Sequence, residues 1–106
     1  MIRTVDLVVA GDGPAACVAA VNALQRGQRV LAVLRPADAR VARRLRRTLL
    51  ETAGTGRGQL GVITGAEVVC ADGIDTVEAV VVRRLRTSRL WAVNASAFVP
   101  DGGLGQ

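Results

Sequence analysis

The sequence predicts an α/β domain of three layers: a parallel β-α-β-α-β sheet, helices packed on it, and a small antiparallel meander. Three observations carry this. Two short apolar runs, Thr4–Ala10 and Arg29–Leu34, flank an apolar segment of helical spacing. A glycine turn, Gly11-Asp12-Gly13, stands at the first junction. Beyond Gly65 the apolar period shortens toward that of half-buried strands. At 106 residues and 50% hydrophobic, the chain is read as one domain over residues 1–106, large enough for a core and too apolar for disorder.

The elements follow in order. Thr4–Ala10 reads T-V-D-L-V-V-A, a first strand buried on both faces. Pro14 to about Arg26 reads as a helix, with Pro14 in the first turn, where a missing N–H costs little, and Gly27 as the stop. Ala15, Val18, Ala19, Val21 and Leu24 make it apolar nearly all round, so it is expected to pack closely on a sheet. Arg29–Leu34 is the second buried strand. A strand–helix–strand unit of about 30 residues implies a right-handed crossover and parallel strands.

Pro36 is expected to open a second helix running to about Ala53. Val41, Leu45, Thr48, Leu49 and Thr52 share one side, and Arg40, Arg43, Arg44, Arg46 and Arg47 form a solvated opposite face. Gly54, Gly56, Gly58 and Gly61 mark a weakly ordered loop, and Gln59–Thr64 a third strand. Ala66–Cys70, Val77–Arg84 and Leu90–Ala95 form the meander, separated by Ala71-Asp72-Gly73 and Thr87-Ser88. Ala97–Pro100 adds a last strand, and the tail Asp101–Gln106 is expected to fray.

Composition narrows the function. The net charge is +5 and all 14 basic residues are Arg, which favours an anionic partner: a phosphorylated cofactor or a nucleic acid. Nucleic acid is disfavoured, because one Trp and one Phe leave little for base stacking. No apolar run approaches the roughly 20 residues of a membrane span. Asp6 and Gly11–Pro14 interrupt the N-terminus as a signal peptide, so a cytoplasmic protein without membrane contact is expected. Cys17 and Cys70 form no C-x-x-C and have no His to join them. They read as small buried hydrophobes, and no metal site is expected. With no His and no Tyr, no proton donor of the usual dehydrogenase kind is present, and no catalytic residue is assigned. The chain alone is not expected to catalyse.

The candidate site is the turn. Gly11-Asp12-Gly13-Pro14-Ala15-Ala16 fits G-x-G-x-x-G/A, following a strand and opening a helix. Gly11 allows the tight exit, Gly13 lets backbone approach a pyrophosphate, and Ala16 keeps helix and sheet close. The helix N-terminus then faces the anion. At the end of the second strand, where a ribose-binding carboxylate is usual, stand Leu34 and Arg35. A cation in that place favours a 2′-phosphate, because guanidinium pairs with phosphate through two parallel hydrogen bonds.

Over roughly residues 4–100 this order resembles the NADPH-binding domain of thioredoxin-reductase-like flavoproteins, within the pyridine nucleotide-disulfide oxidoreductases. The resemblance implies a Rossmann-like fold and an oxidoreductase context. In that family a His-Arg-Arg triplet follows the second strand and a further Arg lies a few residues on. Here Leu34-Arg35-Pro36 keeps one arginine of the triplet, and the later one falls at Arg40. Arg35 and Arg40 are thereby implied as 2′-phosphate ligands and NADP(H) as the favoured cofactor. The Gly-Pro-Ala-Ala turn also looks like the family's FAD-binding turn, so FAD and NAD stay open. The family's second nucleotide domain and redox C-x-x-C have no counterpart, and Ala97–Gly102 only loosely echoes its closing motif. The implied role is a cofactor-binding domain or subunit related to such oxidoreductases, either a stand-alone relic or one completed by a partner chain. The alternative is a ligand-free structural or interaction protein, for instance a homo-oligomer, with the space beside Gly11–Gly13 plugged by a side chain.

Overall fold

A computed structural model describes residues 3–54, 57–73 and 77–100, so Gly56 and the tail expected to fray lie outside the described residues. The elements are β1 (Arg3–Thr4), β2 (Leu7–Ala10), α1 (Pro14–Gln25), β3 (Arg29–Val33), α2 (Ala39–Ala53), β4 (Gln59–Ile63), β5 (Ala66–Asp72), β6 (Ala79–Arg84), β7 (Leu90–Asn94) and β8 (Ala97–Val99). They make two four-stranded sheets, ordered β4-β3-β2-β8 and β1-β7-β6-β5. The first is parallel throughout. In the second, β5, β6 and β7 are the antiparallel meander and β1 joins β7 in parallel.

The parallel sheet is the middle of three layers because successive residues point to opposite faces. Leu7, Val9, Val30, Ala32 and Leu34 pack with Ala20 and Leu24 of α1 and with Leu45 and Leu49 of α2. Val8, Leu31 and Val33 pack on the other side against Val80, Val82 and Val93 of the meander. Burial of each such Val or Leu side chain contributes roughly 1.5–3 kcal/mol. Continuous apolar strands, rather than alternating ones, are what a doubly covered sheet requires.

Several boundaries differ from expectation. Thr4–Ala10 is not one strand: the chain crosses from one sheet to the other at Val5–Asp6. Asp6 anchors the step, its carboxylate accepting the Arg29 N–H at 2.8 Å while its carbonyl accepts the Ala97 N–H at 3.1 Å. Pro36 does not open α2. Asp38 caps that helix by accepting the Arg40 N–H at 2.9 Å, and the Pro36 carbonyl instead accepts the Gly65 N–H at 3.1 Å. Gly61 lies inside β4, and β5 runs on through Asp72 past an irregularity between Val68 and Cys70. α1 does not bury every apolar side chain, since Val18 is 61% exposed and no described element covers it.

The arginine face of α2 is exposed, and from it Arg46 donates to the Leu60 carbonyl and ties the helix to β4. Trp91 is half-buried in β7 with the Arg84 guanidinium over its ring, 5.7 Å from the centroid. Among the described residues no helix is long and apolar enough to cross a membrane.

Candidate functional site

The site grows from the exit of β2. Gly11 adopts φ 80°, a left-handed conformation that favours glycine, and its N–H bonds the Val33 carbonyl at 2.9 Å. Gly13 caps α1 with extended backbone (φ −70°, ψ 171°) and no side-chain hydrogen bond. Pro14 begins the helix, Ala16 is buried against the sheet, and the Cys17 N–H makes the bond back to the Gly13 carbonyl at 3.0 Å. Ala15 and Ala16 therefore present N–H groups without an intrahelical acceptor, at the positive end of the helix dipole. A Cβ built on Gly13 would meet no described atom within 4 Å. Packing gives no reason for glycine there, and the space is open to a ligand.

The turn lies at a topological switch. From β2 the chain runs through α1 to β3 on one side, while β8 pairs with β2 on the other. Crevices of this kind, at the carboxyl ends of parallel strands, are where open α/β sheets bind ligands. Two hollows of about 290 Å³ each meet here and share Gly11 and Arg35. One, on the meander side, is walled by Ala10, Glu67, Cys70 and Phe98. The other, on the helix side, is walled by Asp12, Leu34, Pro36 and Val41.

The structure thus brings Gly11, Asp12 and Arg35 together, with exposed Gly13 and Pro14, half-buried Ala15 and buried Ala16 completing the turn. Arg40 does not line either hollow. Its side chain is 82% exposed, 3.8 Å from the Asp38 carboxylate, and borders a separate hollow of about 250 Å³ with Arg43, Arg44 and Arg47.

Glu67 is the neighbour that sequence reading missed. Its carboxylate lies 3.2 Å from the Arg35 guanidinium and accepts a hydrogen bond from Arg83, across the hairpin. That hydrogen bond, with the charges of Arg83 and Arg35, holds the Glu67 carboxyl below the ordinary carboxylate value against the opposing effect of burial. The one sequence signal was the opposed charge pair that Glu67 and Arg83 make once the hairpin register is fixed.

The two thiols differ. Cys17 is half-buried, donates to the Asp12 carbonyl at 3.4 Å, and is pushed above the ordinary thiol value by burial and then by the Asp12 charge. Cys70 is exposed on the cleft wall, not a buried hydrophobe as its sequence suggested, because β5 runs out of the core after Val68 and leaves residues 69–72 all exposed. Alkylation by iodoacetamide at neutral pH, mapped by mass spectrometry, is expected to modify Cys70 about tenfold faster than Cys17, since the thiolate is the nucleophile. Equal rates would show that the turn opens freely.

With this geometry in view, known proteins supply the context. No protein-family model matches the sequence, and no curated protein matches it significantly. Solved structures do match. Thioredoxin reductase from Streptococcus pyogenes superposes over 95% of the chain with a TM-score of 0.66 and 23% identity. The chain has this Rossmann-like fold. Thioredoxin reductase from Giardia duodenalis matches over 92% of the chain (TM-score 0.64, 20% identity). The myxobacterial chondrochloren halogenase CndH, a variant of the FAD-dependent halogenases, does so over 92% (TM-score 0.66, 15% identity). The chain spans only 32%, 30% and 37% of these three proteins respectively. The three-layer α/β architecture read from the sequence is thus that of oxidoreductases of the thioredoxin reductase and FAD-dependent kinds.

Proposed function

We propose that the chain is the nucleotide-binding module of an oxidoreductase, gripping the pyrophosphate of NADP(H) at Gly11–Ala16 and its 2′-phosphate with Arg35. The observation that carries this reading is the open space at Gly13, beside uncapped helix N–H groups and next in the chain to Gly11 and Asp12, which line a hollow with Arg35. A Cβ at Gly13 would meet no described side chain within 4 Å, so none plugs that space.

Each residue has a task. The Ala15 and Ala16 amides donate to the pyrophosphate, Gly11 supplies the bend, and Ala16 holds the helix close enough for those amides to converge. Arg35 recognises the charge that distinguishes NADPH from NADH. Arg40 contributes from further out, as one of the four arginines around the separate hollow on α2. Asp12 lines the same hollow as Arg35, and a carboxylate charge there opposes an anion. When bound, NADPH supplies a hydride; a partner chain or a further domain supplies the acceptor and the exclusion of water.

A second reading has its own support: the halogenase that shares the fold is FAD-dependent, and the Gly-Pro-Ala-Ala turn suits FAD as well. Calorimetric titration of the ligand-stripped protein with NADPH, NADH and FAD, at two salt concentrations, separates them. NADPH is expected to bind more tightly than NADH by at least about 1.4 kcal/mol, a tenfold ratio. Tighter FAD binding moves the assignment to the flavin. No binding of any at millimolar concentration makes the turn scaffold.

A further inference from the structure

A carboxylate is absent from the end of β3 in sequence, but another strand brings one there in space. Leu34 and Pro36, on either side of Arg35, are stitched to the start of β5: the Ala66 N–H bonds the Leu34 carbonyl and the Gly65 N–H bonds the Pro36 carbonyl, each at 3.1 Å. This places Glu67 beside Arg35, with one carboxylate oxygen 3.2 Å from the guanidinium and the other held by Arg83. Glu67 and Arg35 both line the cleft on the meander side; Arg83 does not. The Glu67 side chain is only 16% exposed, whereas that of Arg35 is 64% exposed and can reach outward.

We propose that Glu67 is a selectivity residue of the cleft, setting through Arg35 how strongly a 2′-phosphorylated adenosine is preferred over one with a free 2′-hydroxyl. This rests on the reading of the turn as a dinucleotide site. The carboxylate occupies part of the Arg35 donor fork and cancels part of its charge, which weakens the draw on a 2′-phosphate. A free 2′-hydroxyl carries no charge and loses little by this. Arg83 sets the balance from outside the cleft. By holding the second oxygen it keeps Glu67 from giving its full charge to Arg35. Glu67 thus acts as a positioning residue upon a ligand-contacting one.

The test is the ratio of NADH to NADPH dissociation constants, measured calorimetrically for the wild type, Glu67→Gln, Arg83→Gln, Arg35→Leu and the Arg35→Leu/Glu67→Gln pair. Glu67→Gln keeps the shape while removing the charge and one of the two acceptor oxygens, and is expected to raise the ratio about threefold, the scale on which partly exposed ion pairs act. Arg83→Gln is expected to lower the ratio by a similar factor. In both Arg35→Leu backgrounds the ratio falls to about one. A merely structural role for Glu67 would change both affinities together and leave the ratio alone. An unchanged or lowered ratio in Glu67→Gln, with NADH still bound, overturns this role while the dinucleotide site stands. If the wild type binds neither nucleotide, both readings fall. Should Glu67→Gln not fold, the Arg83→Gln ratio decides: a fall supports the role, and no change overturns it.

Discussion

Gly58→Ala is expected to cost about 3 kcal/mol of unfolding free energy, the upper part of the range for forcing an extra carbon into a packed interior. A Cβ at this position would stand 2.6 Å from the Gln28 carbonyl oxygen, 2.7 Å from the Leu24 Cα and 2.8 Å from the Leu24 carbonyl oxygen. All three are backbone atoms, so no side chain can swing aside. The Gly58 N–H also bonds the Leu24 carbonyl at 3.2 Å, and the Gln59 N–H bonds the Gln28 carbonyl at 3.1 Å. To relieve the clash, β4 must move away from the end of α1, breaking both bonds and loosening Leu60 from the helix-side core. Urea unfolding of the variant beside the wild type measures the cost. A loss under about 1 kcal/mol would mean that the segment before β4 yields easily, and that the contact is not a constraint on the fold.

That position also shows where sequence reading stopped. Gly54, Gly56, Gly58 and Gly61 looked alike, as a run of loop glycines. In the structure Gly54 ends α2 at φ 72°, Gly58 is a point of close backbone contact, and Gly61 is a strand residue paired with Leu31. Composition cannot separate these tasks, because each depends on what lies opposite in space.

The β-α-β core was legible for the opposite reason. Its signals are local: Val8, Val9, Leu31 and Ala32 are apolar on both faces, and Gly11 and Pro14 punctuate them. The break at Val5–Asp6 was not, since the apolar pattern runs on either side of it and only the pairing of Thr4 with Asn94 reveals the change of sheet. Within the site, the turn and Arg35 could be found because they sit next to the strands that carry them. Glu67 could not, because it reaches Arg35 only when β5 starts against the end of β3. Arg40 shows the converse: close in sequence to Arg35, it faces its own hollow on α2.

Gly13→Ser separates the fold from the site more sharply than any other change. Gly13 has φ −70° and ψ 171°, which any L-residue adopts, and a Cβ there would meet no described atom within 4 Å. As the residue that caps α1 without a side chain, it would gain from serine an oxygen able to accept a first-turn N–H, worth a few tenths of a kcal/mol relative to glycine. The variant is therefore expected to be as stable as the wild type or slightly more so. Its nucleotide affinity is expected to fall at least about a hundredfold, roughly 2.7 kcal/mol. On the proposed reading, the new side chain fills the space a pyrophosphate would need and takes up an N–H that would bond it. Such opposite signs follow only if Gly13 is kept for a ligand. For a structural residue, stability and affinity would fall together; for a scaffold turn, the substitution would be silent in any titration. Urea unfolding and calorimetry on the same preparation decide the matter. A Gly13→Ser protein that binds NADPH as the wild type does would remove the pyrophosphate from this turn.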